Sequence, residues 1–174
     1  MSLGNIYNYF ENKDAIFRTL VSPTVDEINR MLDRESTHDY LNDPEAWSYD
    51  YHIKIVDQIA DFIDMHRNNL NLLAFYSHGS ALESFKENLV ERCTEIFMQL
   101  IKVVRQEFPD SRIEVSDFFV HNIVSFYIRS VEEILMHDIE SAKMKLYLRE
   151  LMQFTYFGWK SLMNEYAFTT KTKE

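Results

Sequence analysis

Gly4-Asn5-Ile6-Tyr7-Asn8-Tyr9-Phe10-Glu11-Asn12-Lys13-Asp14-Ala15-Ile16-Phe17 opens the chain with two helical signals that meet at a turn. Ile6 and Phe10 are four residues apart, so they share one side of a short helix, with Tyr7 pointing sideways. Asn12 is a favoured N-cap. Asp14 falls in the first turn of the following helix, where a negative charge suits the helix dipole. The stretch predicts the end of one short helix, a tight turn and the start of a longer helix.

The rest of the chain has the composition to continue in helices. At 174 residues one compact domain is the default, and 46% hydrophobic residues suffice for a core. Only 3 Gly and 3 Pro are present, too little punctuation for regularly spaced strands. The single cysteine, Cys93, excludes an internal disulfide and suits a reducing cytoplasm, the expected location. No apolar run approaches the length of a membrane span, and no signal peptide is recognisable, so no membrane partner is expected. The net charge of -10 is the wrong sign for binding nucleic acid over most of the surface, because DNA affinity rests largely on Lys and Arg meeting phosphates.

Gly4, Ile6, Tyr7, Tyr9, Phe10, Asn12, Lys13, Asp14 and Ile16 fall in register with the pattern that closes a helix-turn-helix, and in this the stretch resembles the TetR/AcrR family of bacterial transcriptional regulators. In that family two helices and the start of the recognition helix precede the glycine. Here only Met1-Ser2-Leu3 do, and they read as a start codon followed by a cloning remnant. The resemblance therefore implies a chain that has lost most of its DNA-binding domain: residues 1–17 are the remnant, and 18–174 are the ligand-binding and dimerisation domain. The DNA-contacting set it implies is Gly4, Asn5, Tyr7, Tyr9 and Lys13. Of these, Tyr7, Tyr9 and Lys13 would hold phosphates, which fixes register without reading bases. Operator DNA is then a partner of the full-length protein and not of this chain.

Helical spacing carries through the remaining residues. The helix opening at Asn12 shows Ile16, Phe17 and Leu20 on one face. Ser22-Pro23 follows, and either kinks the helix as a hinge or separates two short helices. Spacing resumes at Val25, Ile28 and Leu32, and residues 34–43 read as a loop. Asp43-Pro44-Glu45 signals a helix start, and Ile53, Val56, Ile59/Ala60 and Ile63 continue that helix to an end near Arg67-Asn68-Asn69. A short helix from Leu70 to Tyr76 stops at His78-Gly79. Ser80-Ala81-Leu82-Glu83 fits a capping box ahead of a helix closed by Phe108-Pro109. Two last helices follow, the second from about Ser141 to Ala167, and a polar tail begins at Thr169. Both have apolar residues on more than one face, which a helix packed on two sides needs. The extra face predicts an oligomer interface. The fold expected is all-α, an antiparallel bundle of about six helices, of the type the resemblance implies for a regulatory domain, with the helix-turn-helix remnant protruding.

No zinc, P-loop, dinucleotide or EF-hand signature is present, so no metal and no cofactor is expected. Glu35-Ser36-Thr37-His38 has Glu-x-x-His spacing, but a single copy at a loop does not make a di-iron site. Cys93 reads as a buried small hydrophobe with Glu91 and Glu95 for neighbours, not as a nucleophile. Adjacent Glu132 and Glu133 cannot face each other on a helix and read as a solvated face. With no convergent acid-base pair or metal set, an enzyme is not expected.

Aromatics make up 14% of the chain, with 8 Met. Such residues fill ordinary cores, and they also line cavities for flat apolar molecules. The candidates for a ligand cavity are His52, Phe62, Met65, Phe75, Tyr76, Phe97, His121 and Tyr127. The resemblance implies such a pocket, a small hydrophobic ligand, and a homodimer formed through the last two long helices. The expected function is a ligand-responsive regulator, a repressor by default. The alternative is a helical interaction module with neither ligand nor DNA.

Overall fold

A computed structural model describes residues 9–109 and 113–163. The chain is an all-α bundle: α1 Lys13–Thr37, a 3-10 turn Pro44–Trp47, α2 Tyr49–Phe75, α3 Phe85–Glu107, α4 Asp117–Met136 and α5 Ser141–Leu162. The starts follow local chemistry. Asn12 Oδ1 accepts from the Ala15 N–H at 2.8 Å, and Asp14 lies in the first turn of α1. Ser48 caps α2 through the Tyr51 N–H at 3.1 Å, and Ser116 caps α4 through the Phe119 N–H at 3.2 Å. Each satisfies one of the amides that a helix start leaves without a partner.

Several expected boundaries shift. Pro23 does not divide α1, which runs 25 residues and consumes the first part of the expected loop. Asp43-Pro44 starts only the 3-10 turn, and Ser48 caps the long helix after it. Arg67-Asn68-Asn69 does not end α2, which continues to Phe75. The reason is that these side chains bond away from their own backbone: Arg67 reaches the Ile139 carbonyl at 2.7 Å, and Asn69 donates to Thr24 Oγ1 at 2.9 Å. Ser80 and Glu83 build a turn, not a helix start. Ser80 Oγ accepts from the Leu82 N–H, Glu83 accepts from the Gly79 N–H, and Gly79 takes the positive φ that favours glycine. The expected six helices become five α-helices and one 3-10 turn among the described residues. The end expected for the last helix at Ala167 and the tail from Thr169 lie outside the described residues.

Helix α2 packs on α5, α3 on α4, and α1 on α2. Two apolar clusters fill the interior. In one, Val90, Ile101 and Val104 of α3 meet Ile113, Val115, Val120 and Val124, with Met163 below them. In the other, Val56, Ala60 and Ile63 of α2 meet Ile134 and Leu135 of α4 and Met144 and Leu148 of α5. The stripes differ from the expected ones in detail. On α1 the buried side chains are Val21, Thr24 and Ile28, and Leu20 is exposed. On α3 the buried register is Val90, Ile101 and Val104, with Leu100 packed partly buried against the same cluster.

Charges on α2 pair with α5. Asp57 takes Arg149 in a two-pronged pair at 3.0 and 2.7 Å, and Asp61 takes Lys145 at 2.7 Å. Hydrogen bonding from Arg149 holds the Asp57 carboxyl below the usual carboxylate range. Hydrogen bonding from Ser141, with Arg67 adding to it, does the same for Asp64. A carboxyl depressed in the folded state contributes stability that is present above its unfolded value, here 3.8, and is lost as pH falls through the folded value. The melting temperature should therefore fall as pH drops below about 4. Asp57→Asn with Asp64→Asn should flatten that fall in a pH series of thermal melts.

Candidate functional site

The implied DNA-contacting residues divide at the edge of the described chain. Gly4, Asn5 and Tyr7 lie outside it. Tyr9 is exposed, and Lys13 is the exposed first residue of α1. The start of that helix is joined to the connection between α2 and α3: Asp14 Oδ1 accepts from the Ala81 N–H at 2.9 Å, while Arg18 pairs with the other carboxylate oxygen at 3.1 Å.

The eight candidate ligand residues do not converge. Met65, 76% exposed, and Tyr76, 70% exposed, face solvent, and Phe75 is exposed beside Tyr76 at the end of α2. These three stand off the apolar stripe of α2, which runs through Val56, Ala60, Ile63 and Leu73. Phe62 lies over the His66 ring at 4.5 Å. His52 Nδ1 is 2.8 Å from the Ser48 carbonyl, which fixes that nitrogen as the donor, and its ring meets Tyr156. Phe97 and Tyr127 do come together, both against Trp159 of α5. Burial pushes the Tyr127 phenol up, opposed by hydrogen bonding from Thr155 and Trp159. Phe97 and Trp159 pack, partly buried, against the α3–α4 cluster.

His121 lines a groove, a cavity of about 390 Å³ between α3 and α4, and the other seven do not line that groove. Lys86, Glu87, Val90 and Glu91 form one wall; His121, Ser125, Ile128, Arg129 and Glu132 form the other. Positions 121, 125, 128 and 132 repeat at helical spacing, so one face of α4 supplies that wall. Val90 and Ile128 give it an apolar component. Glu132 is the correction to the solvated pair: it is only 6% exposed, and Lys86 at 3.0 Å and Arg129 at 3.4 Å neutralise it. Arg129 also pairs with Glu133 at 2.8 Å. The signal that could have found Glu132 is weak, since Lys86 is 46 residues away and the partner becomes visible only when α3 lies on α4.

The Glu35–His38 spacing brings no shared site. Glu35 accepts from the Tyr40 hydroxyl, and His38 lies 3.1 Å from Asp43. Burial, with Glu35 beside it, raises the Tyr40 phenol. Tyr40, Trp47, Tyr49, Tyr51 and His52 instead build an aromatic wall against Tyr156 and Phe157 of α5. No group of three metal-ligating side chains occurs among the described residues. None of their helices is long and apolar enough to cross a membrane.

Cys93 borders the α3–α4 cluster, and burial pushes its thiol up to about 11 against the pull of Arg92. At pH 8 that leaves about one thiolate in a thousand. Ellman's reagent should label native Cys93 at least about a hundredfold more slowly than the urea-unfolded chain. Equal rates would show that the thiol is open to solvent. No family model, curated protein or solved structure matches this chain.

Proposed function

We propose that this chain is the sensing and pairing part of a ligand-responsive transcriptional regulator of the TetR/AcrR type. It acts in the cytoplasm as a homodimer and is a repressor, not an enzyme. A small hydrophobic molecule binds the regulatory bundle and moves α1, so that two reading heads no longer match neighbouring major grooves of the operator. The ligand must bind the DNA-released form better, since equal affinity for both forms shifts nothing. The observation that supports this most is the exposed apolar residues on the last two helices. Phe118 and Phe126 stand out on α4; Leu146, Phe154 and Phe157 stand out on α5. Spacings of eight on α4, and of eight and three on α5, put each set on one face of its helix. Faces of this kind mark interaction sites on otherwise polar surfaces.

The test joins two measurements on this chain. It should sediment as a dimer, and it should not retard duplex DNA, because the bases would be read by helices that precede Gly4 in the resembling family. A salt-sensitive, sequence-specific gel shift by this chain would overturn the second expectation, and a monomer at 100 μM order would overturn the first. The dispersal of His52, Phe62, Met65, Phe75, Tyr76, Phe97 and Tyr127 favours a second reading, a helical interaction module with no ligand. A thermal-shift screen with hydrophobic compounds separates the two: saturable stabilisation supports the sensor, and none across the screen supports the module.

A further inference from the structure

Helix α1 is held to the bundle unevenly on the two sides of Pro23. After the proline the attachments are many. Thr24 is fully buried, and its Oγ1 lies 2.9 Å from His66 Nδ1 and accepts from Asn69 Nδ2 at 2.9 Å. A neutral His66 with its proton on Nε2 satisfies this arrangement, and Nε2 then lies 3.1 Å from Glu27 Oε2, an ion-pair distance without hydrogen-bond alignment. One turn on, Ile28 is buried. Arg92 of α3 then donates to Asn29 at 2.8 Å and to Asp33. Before the proline the attachments are few. None of residues 13–20 is fully buried. Among the described residues, their one polar contact with another part of the bundle is the Ala81 N–H to Asp14.

Pro23 sits between these halves and has no N–H to give the Thr19 carbonyl, so the helix lacks a rung there. A helix bends where its ladder is interrupted. Val21, fully buried, lies beside the missing rung and anchors the joint without holding the far end.

We infer that α1 is a jointed strap and not a rigid rod: residues 24–37 are fixed, residues 13–20 swing when the Asp14–Ala81 latch opens, and the Thr24–His66–Asn69 clasp stops the motion at Pro23. The strap's use in regulation rests on the proposed function; its mechanics do not. The turn that carries Ala81 leads directly into α3, whose first turn carries Lys86 and Glu87, both lining the α3–α4 groove. Displacement of that end of α3 therefore reaches the latch without passing through the core.

Amide hydrogen exchange on this chain tests the inference whether or not it binds DNA or ligand. In Asp14→Ala, the amides of Phe17 to Ser22 should exchange at least about tenfold faster, with those of 25–37 unchanged. Ala81→Pro, which removes the donor from the other side, should do the same. Restoring the rung with Pro23→Ala on the Asp14→Ala background should return most of that protection. Thr24→Val should let fast exchange spread past the joint to residues 25–29. Uniform acceleration from Phe17 to Thr37 in Asp14→Ala would show a rod and overturn the inference. So would no acceleration at all, or a Thr24→Val profile identical to wild type. A monomer by sedimentation with the expected exchange pattern would overturn the pairing and leave the strap intact.

Discussion

On the proposed pairing through the last two helices, Phe154→Glu with Phe157→Glu should convert the dimer to a monomer, with the dissociation constant raised by about a thousandfold or more. Phe154 is 77% exposed and Phe157 52% exposed in the single chain, three residues apart on one face of α5. Burying a phenylalanine is worth about 1.5–3 kcal/mol, and a two-fold interface counts each residue twice. Loss of even one ring per protomer therefore removes roughly 3–6 kcal/mol. The glutamates add the cost of drying charges on a surface whose owner already carries -10. The same charge makes two protomers repel, so dimerisation of the wild type should strengthen as salt screens it. Tyr76→Glu, exposed at the end of α2, is the control and should leave the dimer intact. Sedimentation equilibrium reads all three. A double glutamate variant that still pairs as tightly as wild type would place the interface elsewhere.

What the sequence carried, and what it did not, follows from the range of the interactions involved. Caps act over three residues, so Asn12, Ser48 and Ser116 set helix starts by local chemistry, and of these Asn12 was legible as a cap. The end of α2 was not legible, because Asn69 is a poor helix former whose side chain is satisfied by Thr24, 45 residues away. Thr24 is the same problem from the other side: a polar residue beside a proline looks like a break and is instead a buried tie between α1 and α2. Glu132 looked solvated beside Glu133 until α3 brought Lys86 to it. The scatter of the candidate ligand residues has a related cause. Aromatic and methionine content says how much apolar surface a chain has, not which helix face holds it, and one residue along α2 turns a side chain by about 100°. Ile63 is buried and Met65, two residues on, is not.

Ile101→Ala and Ile134→Ala should each destabilise the fold by about 3 kcal/mol, within the roughly 2–5 kcal/mol range for emptying a well-packed aliphatic site. Ile101 is fully buried in the α3–α4 cluster, and Ile134 is buried in the cluster shared by α2, α4 and α5. For a chain of this length the melting temperature should fall by roughly 5–15 °C in each variant. The two losses should appear in one transition and not in two. Helix α4 supplies Val120 and Val124 to the first cluster and Ile134 and Leu135 to the second, so neither cluster can melt without removing a wall of the other. Because the two sites share no cluster partner, their effects should add in the double variant to within about 0.5 kcal/mol. Circular dichroism at 222 nm and the fluorescence of Trp47 and Trp159 report different parts of the bundle, since both tryptophans border only the first cluster. Coincident midpoints by the two probes in Ile134→Ala would show α4 acting as the common spine. Tryptophan fluorescence that held its native midpoint while the helix signal melted early would show two separable units and place the domain's cooperativity elsewhere.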